Sequence, residues 1–115
     1  MLRADGSFGL PALIWELSSP QTDNRPTIRS DGLEVFLTST RPGGHGGQDL
    51  WFSTRETTQD AWSRPVNLGP RVNTGDSEAG SALSFDGTTL YFVSNRPGGY
   101  GNGDIYMATR TRLPD

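Results

Sequence analysis

The sequence lacks cysteine and lysine altogether, and it has a single histidine, His45. Without cysteine, the chain has neither disulfides nor thiolate ligands for a metal ion. Without lysine, it has no Schiff-base nucleophile and no phosphate-binding lysine of the P-loop kind. These absences exclude several classes of enzyme before any motif is considered.

Long apolar runs and a strong charge are lacking as well. No stretch approaches the roughly 18 apolar residues that a membrane helix requires, and residues 1–9 lack the basic and apolar regions of a signal peptide. The formal net charge is −3, and its charges are spread along the chain. A nucleic-acid surface would need a basic patch instead. We therefore expect no membrane span and no nucleic-acid partner.

Glycine and proline are plentiful, with 15 and 8 residues, and they recur within an internal repeat. Four motifs return at one common offset of 55 residues. Because unrelated motifs do not share a register, the chain contains a duplication. The motif pairs are Asp31-Gly32 and Asp86-Gly87, Arg41-Pro42-Gly43-Gly44 and Arg96-Pro97-Gly98-Gly99, Asp49-Leu50-Trp51 and Asp104-Ile105-Tyr106, and Thr54-Arg55 and Thr109-Arg110.

Each copy predicts short β-strands. A short apolar segment precedes each Asp-Gly turn, an apolar run follows it, and another run follows each glycine-rich loop. Short runs bounded by Gly, Pro and Asp are typical of buried strands. A fourth strand is predicted over residues 62–69, and its counterpart over residues 8–17. The offset between these two segments is about one residue smaller than the common offset of the repeat. The fold class is therefore all-β, built from four-stranded antiparallel units of the size of a propeller blade.

Residues 84–99 (SFDGTTLYFVSNRPGG) resemble the repeat of TolB-like, WD-repeat-like bacterial β-propellers. Residues 103–106 (GDIY) and 62–69 (WSRPVNLG) share this likeness, which covers residues 20–111. The first copy departs from it, with Asp23 in place of Glu78 and Pro26 in place of Ser81. The resemblance implies a six-bladed propeller, often exported to the periplasm or the cell exterior, that binds a protein or another ligand. Such propellers have about three times as many blades as this chain supplies.

The repeat divides the chain into three parts. Residues 1–17 are predicted to be the outermost strand of a neighbouring or last blade. Residues 18–69 are predicted to be the first complete blade, and residues 70–115 a second blade without its outermost strand. Blades bury their apolar faces only by stacking on neighbours, and two blades do not close a ring. We therefore expect the chain not to act alone as a monomer.

Two arrangements satisfy this expectation. In one, three copies assemble head to tail into a six-bladed ring, and residues 12–17 of each chain complete the last blade, residues 105–110, of the next. A heterologous contact of this kind closes when the rotation per subunit divides the circle. In the other arrangement, the chain is a segment of a longer propeller that supplies the remaining blades.

Candidate binding residues lie in the predicted loops. His45 and Tyr100 occupy the same position in the two glycine-rich loops. Three side chains with oxygen donors crowd the loop between the two copies, and such oxygens suit Ca²⁺. Their spacing matches no EF-hand, so calcium stays an alternative and no cofactor is predicted. The candidate binding residues are His45, Tyr100, Asn102, Asn73, Asp76 and Glu78.

The remaining motif residues are predicted to shape turns. The glycines are expected to supply positive φ angles for tight connections. The arginine and the aspartate that flank each glycine-rich loop are expected to pair with each other or to bond the loop's backbone amides. The structural residues are Asp31, Gly32, Arg41, Gly43, Gly44, Asp49, Asp86, Gly87, Arg96, Gly98, Gly99 and Asp104.

The function predicted is a non-catalytic module whose loop face contacts a protein, a peptide or a glycan. Four loops would form that face, at residues 18–24, 42–48, 70–79 and 97–103. A purely structural segment of a larger surface protein is one alternative to this module.

A propeller of the glycoside hydrolase or lyase type, with acids near its channel, is the enzymatic alternative. A sialidase-type Asp box has a residue between Asp and Gly, and Asp86-Gly87 has none, which argues against that alternative. A catalytic triad would need His45, on a glycine loop that does not hold it rigidly.

Overall fold

The structure is a computed structural model that describes residues 6–111, and it consists of two antiparallel sheets. The first sheet has four strands in chain order and the second has three. The all-β prediction is confirmed. The strands are β1 (Asp23–Ile28), β2 (Glu34–Ser39), β3 (Asp49–Thr54), β4 (Val66–Asn67), β5 (Glu78–Leu83), β6 (Thr89–Ser94) and β7 (Asp104–Thr109).

The register of the strands repeats with the sequence. In the first sheet β2 pairs with β3 from Glu34↔Thr54 to Ser39↔Asp49, and in the second β6 pairs with β7 from Thr89↔Thr109 to Ser94↔Asp104. Each of these pairs lies 55 residues after its counterpart. β1 and β5 are each interrupted by an irregularity at the matching place. The two sheets are therefore two copies of one structural unit.

The two sheets pack against each other through a small apolar core. Phe36 and Leu50 come from the first sheet, and Leu90 and Phe92 from the second. Because side chains alternate between the faces of a strand, each sheet contributes one face to this core. Partly buried residues extend it, namely Phe52, Leu68, Val72, Leu83, Tyr106 and Ala108.

Residues 8–17 differ from the strand predicted there. Trp15–Leu17 forms a 3-10 helix, and Phe8 makes only an isolated bridge. Leu13 and Leu17 line a cavity together with Leu37 of the first sheet, and the segment belongs to neither of the two sheets. The strand is thus not formed within the chain, and its pairing with another chain stays a prediction. Residues 1–5 and 112–115, which belong to the first and last predicted segments, lie outside the described residues.

The helical content of residues 6–111 was compared with what a membrane span requires. None of the helices in residues 6–111 has the length and apolar character that crossing a membrane requires.

The irregularity in β5 predicts a stability effect at Gly80. Gly80 has φ 70°, a left-handed conformation that costs an L-residue roughly 1–2 kcal/mol. A Cβ there would meet only the side chain of Arg25, at 3.4 Å, so backbone conformation dominates. We expect Gly80→Ala to lower the free energy of unfolding by about 1 kcal/mol in urea denaturation. Gly75→Ala is the control, because a Cβ there has open space and no positive φ, and an equal loss in both variants would contradict the prediction.

Candidate functional site

The loops predicted to carry binding residues gather at one end of the sheets, called here the loop end. The Gln48 amide, after the first glycine-rich loop, donates to Ser77 Oγ at 3.3 Å. The Ser77 amide donates in turn to Asn95 Oδ1 at 2.8 Å, before the second glycine-rich loop. The loop that precedes β1 joins this end through the Thr40 amide, which donates to the Thr22 carbonyl at 3.1 Å. The loop end comprises residues 18–22, 40–48, 68–77 and 95–103.

A charged cluster lies under the first glycine-rich loop. Arg41 Nη2 donates to Asp23 Oδ1 at 2.8 Å and to the Leu17 carbonyl at 2.7 Å. Arg41 Nε donates to Ser39 Oγ at 3.0 Å, and that hydroxyl donates to Asp23 at 2.7 Å. The arginine therefore ties β1, β2 and the preceding segment together.

The second copy contains the same cluster. Arg96 Nη2 donates to the Val72 carbonyl at 2.6 Å and reaches Glu78 Oε2 at 3.4 Å. Arg96 Nε donates to Ser94 Oγ at 2.9 Å, and that hydroxyl donates to Glu78 at 2.7 Å. Because each partner stands 55 residues after its counterpart, both clusters belong to the repeated framework, and each arginine pairs with the acid of the first strand in its sheet.

The two aspartates that follow the glycine-rich loops hold the loop backbones. Asp49 accepts hydrogen bonds from the amides of His45 and Gly46. Asp104 accepts one from the amide of Gly101, at 3.1 Å. Of the two alternatives expected for these aspartates, bonding to backbone amides is therefore the one that the structure shows.

Two different constraints require glycine in these loops, namely backbone conformation at one pair of positions and lack of room for a Cβ at the other. Gly43 and Gly98 have φ angles of 96° and 100°, as predicted. The prediction is wrong for Gly44 and Gly99, which do not have positive φ. At both positions a Cβ would instead overlap the aspartate carboxylate that holds the loop. The Asp-Gly turns also match the prediction, since Gly32 and Gly87 have positive φ. Asp31 and Asp86 begin these turns, and each accepts a hydrogen bond from the backbone amide two residues later.

Glu78, a candidate binding residue, is fully buried. Its carboxylate accepts hydrogen bonds from the amide and the hydroxyl of Thr74, at 2.8 and 2.7 Å, besides those from Ser94 and Arg96. These bonds occupy both carboxylate oxygens inside the protein. The geometry therefore gives Glu78 a structural part.

Asn73, a second candidate, is also buried. Its side chain accepts from the amide of Leu50 at 2.8 Å and donates to the carbonyl of Leu50 at 2.9 Å. It also donates to Asn67 Oδ1 at 2.8 Å. Asn73 thereby continues the pairing of β3 beyond the short strand β4, and it links the first sheet to the segment that leads into the second.

The other four candidates are exposed at the loop end. Tyr100 is completely exposed, and its repeat counterpart His45 lies on the loop that Asp49 clamps. Whether these four contact a ligand stays a prediction. The exposed candidates are His45, Asp76, Tyr100 and Asn102.

The oxygen donors considered for calcium are not assembled as a ligand set. Within residues 6–111, no three side chains among His, Asp and Glu lie together in a way that could hold a metal ion. A cation near Asp76 and Glu78 would have to displace the bonds that Glu78 makes to Thr74 and Ser94.

One ion pair between the sheets was not predicted from the sequence. Arg110 donates to both carboxylate oxygens of Glu34, at 3.1 and 2.6 Å, and Arg29 lies 3.4 Å from the same group. Glu34 is almost fully buried, at 4% exposure. Its repeat counterpart is Thr89, so comparing the two copies gave no signal for an acid at this position.

The pKa of Asp23 gives a prediction for acid stability. Burial works to raise this pKa, but hydrogen bonds from Ser39, from the Ser19 amide and from Arg41 outweigh it and hold the pKa below its usual value. The stabilisation is thus present above the unfolded pKa, about 3.9, and is lost as pH falls through the lower folded value. We expect Asp23→Asn to flatten the fall in unfolding free energy below about pH 4, measured by urea denaturation between pH 2 and 7. The prediction would be contradicted if the unfolding free energy of Asp23→Asn fell at acid pH as steeply as that of the wild type.

Comparison of the chain with protein-family models, with curated proteins and with solved structures finds no match. The class that the fold and the site define is an all-β protein of two antiparallel sheets, which are copies of one unit and pack through an apolar core.

Proposed function

We propose that the two sheets are blades of a β-propeller, and that the chain is a non-catalytic binding or scaffold module whose loop end contacts a protein, a peptide or a glycan. The observation that carries this proposal is the construction of the loop end. Asp49 and Asp104 hold the backbones of the two glycine-rich loops, while His45 and Tyr100 at the tips stay exposed. Loops whose backbones are held by such hydrogen bonds lose less conformational entropy when their exposed tips bind a partner.

The propeller part of the proposal is supported by the topology. β1 to β4 are hydrogen-bonded in chain order, which is the arrangement of a four-stranded blade. The second sheet repeats it through its third strand. A closed ring has 4–8 blades, so the remaining blades come either from a longer chain or from other copies. Location in the periplasm or outside the cell follows from the resemblance to TolB-like propellers alone.

Burial of Glu78 favours binding over glycoside hydrolysis. Two-carboxylate hydrolysis needs a pair of acids that both face the substrate. Of the two acids in the loop between the sheets, Asp76 is exposed, but Glu78 is buried and engaged by Thr74 and Ser94. A substrate at the loop end therefore meets one acid of the pair.

A binding screen tests the proposed function. We would probe the protein with a glycan array and with a random-peptide phage library. We expect a reproducible ligand whose affinity falls at least about tenfold in the double variant His45→Ala, Tyr100→Ala, because aromatic side chains dominate such contacts. Phe85→Ser is the matched control, since Phe85 is 87% exposed but lies in the Asp86-Gly87 turn, away from the loop end.

Two results would contradict the proposal. One is the absence of a ligand in both libraries, and the other is binding that both variants leave unchanged. Release of reducing sugar from a glycan, abolished by Asp76→Asn, would instead favour the hydrolase alternative.

A further inference from the structure

The second sheet has an apolar face that no described residue covers. Its four outward side chains are between 40% and 78% exposed. Contiguous apolar surface of this kind marks interaction sites in soluble proteins. This surface, called here the open face, consists of Tyr91, Val93, Ile105 and Met107.

The duplication shows what such a face binds. The counterparts of the open face, 55 residues earlier in the first sheet, are largely buried, and they contact the second sheet. Leu50, for example, is fully buried in the core between the sheets, whereas Ile105 at the matching position is 78% exposed. Within this chain, then, a face of this type receives another sheet of the same repeat. The counterparts are Phe36, Thr38, Leu50 and Phe52.

No described residue pairs with the outer edge of the second sheet. In the first sheet, β3 pairs with β4 through Trp51↔Asn67 and Phe52↔Val66. In the second sheet, β7 is the last strand among the described residues. A free edge of this kind is a template for adding a strand from another chain.

A segment that matches the missing strand lies at the other end of the same chain. Residues 8–15 (FGLPALIW) align with residues 62–69 (WSRPVNLG), which contain β4, with an aromatic residue first and proline fourth in both. Their apolar side chains are exposed, Phe8 at 78% and Leu10 at 95%. Among residues 6–111, one segment with the pattern of a strand therefore belongs to neither sheet, and the second sheet has three strands where the first has four.

The two features belong to opposite sides of the molecule. Leu13 and Leu17 lie over Leu37 of the first sheet. Because successive side chains of β2 point to opposite faces, Leu37 faces away from the core that Phe36 shares with the second sheet. The segment and the open face therefore meet between molecules rather than within one.

We propose that the open face and the free edge of β7 dock a second copy of this chain, with residues 8–15 of that copy pairing with β7 as β4 pairs with β3. In this register Ala12 of the second copy lies opposite Met107, and its Leu13 lies opposite Tyr106. Residues 8–15 of the second copy thereby leave the face of its first sheet that holds Leu37, which is buried in the single chain, and this face then packs on the open face, as β5–β7 pack on the first sheet. Three copies joined in this way close a ring of six sheets. This inference does not depend on the proposed ligand binding at the loop end.

The mass of the protein in solution gives the first test, by light scattering over the micromolar range. We expect the wild-type chain to form a discrete oligomer, with the mass of three chains for the closed ring. Ile105→Asp, on the open face, should reduce it to a monomer with an unchanged circular dichroism spectrum. Gln59→Asp, at an exposed position in the connection between β3 and β4, should leave the oligomer intact. A wild-type monomer throughout, or an oligomer that persists in Ile105→Asp, would overturn the proposal.

Disulfide trapping tests the register, and it is clean because the natural chain has no cysteine. Ala12→Cys and Met107→Cys are prepared separately, mixed and oxidised. We expect a disulfide that joins one chain of each variant, with a yield at least about tenfold above that of the pair Ala12→Cys and Phe85→Cys. Equal yields from the two pairs would overturn the strand pairing, even if an oligomer forms.

Discussion

Replacing Glu78 by alanine is expected to lower the free energy of unfolding by about 3–5 kcal/mol, because it removes the fully buried partner of an ion pair and leaves several hydrogen-bond donors without their acceptor. The Glu78 carboxylate accepts bonds from Thr74, Ser94 and Arg96 and is fully buried. Without it, the Arg96 guanidinium keeps its bond to a backbone carbonyl but loses its counter-charge. The change is measured by urea denaturation at pH 7.

The repeat supplies a matched control for Glu78→Ala. Asp23 occupies the same place in the first cluster and pairs with Arg41, but its side chain is 20% exposed. Since Asp23 itself reaches solvent, water can enter the space that Asp23→Ala leaves and hydrate the groups that lose this acceptor, so we expect a smaller loss, about 1–2 kcal/mol. Equal losses in the two variants would contradict the view that burial makes the second cluster the stronger one.

Replacing Leu50 by alanine is the second large effect, with an expected loss of about 3 kcal/mol. Leu50 is fully buried between the sheets, and removal of a buried leucine side chain leaves a cavity. Its repeat counterpart Ile105 is largely exposed. Ile105→Ala should therefore change the stability of the monomeric chain by less than about 0.5 kcal/mol.

The comparison of Leu50→Ala with Ile105→Ala is made at protein concentrations where the chain is monomeric. Urea denaturation followed by tryptophan fluorescence gives both free energies. Similar losses in the two variants would mean that Ile105 is buried within its own chain, which would contradict the open face.

Much of the fold could be predicted from the sequence, because each copy of the repeat marks its strands with apolar runs and its turns with Gly, Pro and Asp. β2, β3, β6 and β7 are apolar runs between Gly, Pro and Asp turns, and the common offset gives their equivalence. The irregularity at Arg25 and Gly80 was not predictable, since the two residues share no side-chain property. The 3-10 helix at Trp15–Leu17 was missed for another reason: the segment has the pattern of a strand, but it joins neither sheet of residues 6–111.

The candidate site could be predicted only in part. For Asp49 and Asp104 the motif left two partners open, the flanking arginine and the backbone amides of the loop, and the structure shows bonds to the amides. The burial of Asn73 and Glu78 depends on which segments cover the loop between the sheets. This depends on tertiary packing, which the sequence motif does not specify. The Arg110–Glu34 pair joins residues 76 positions apart and differs between the copies, so the repeat gave no signal for it.

The measurement that tests the stacking of the two sheets most directly is nuclear Overhauser spectroscopy on Met107→Asp, a variant with a charge on the open face that we expect to stay monomeric at the concentrations that NMR requires. We expect cross-peaks from the methyl groups of Leu50 to the ring of Phe92, and from the ring of Phe36 to Leu90, because these four side chains form the buried core. Ile105 should show no cross-peaks to the first sheet. Cross-peaks from Ile105 to Val35 or Leu37 in place of those from Leu50 would contradict this stacking.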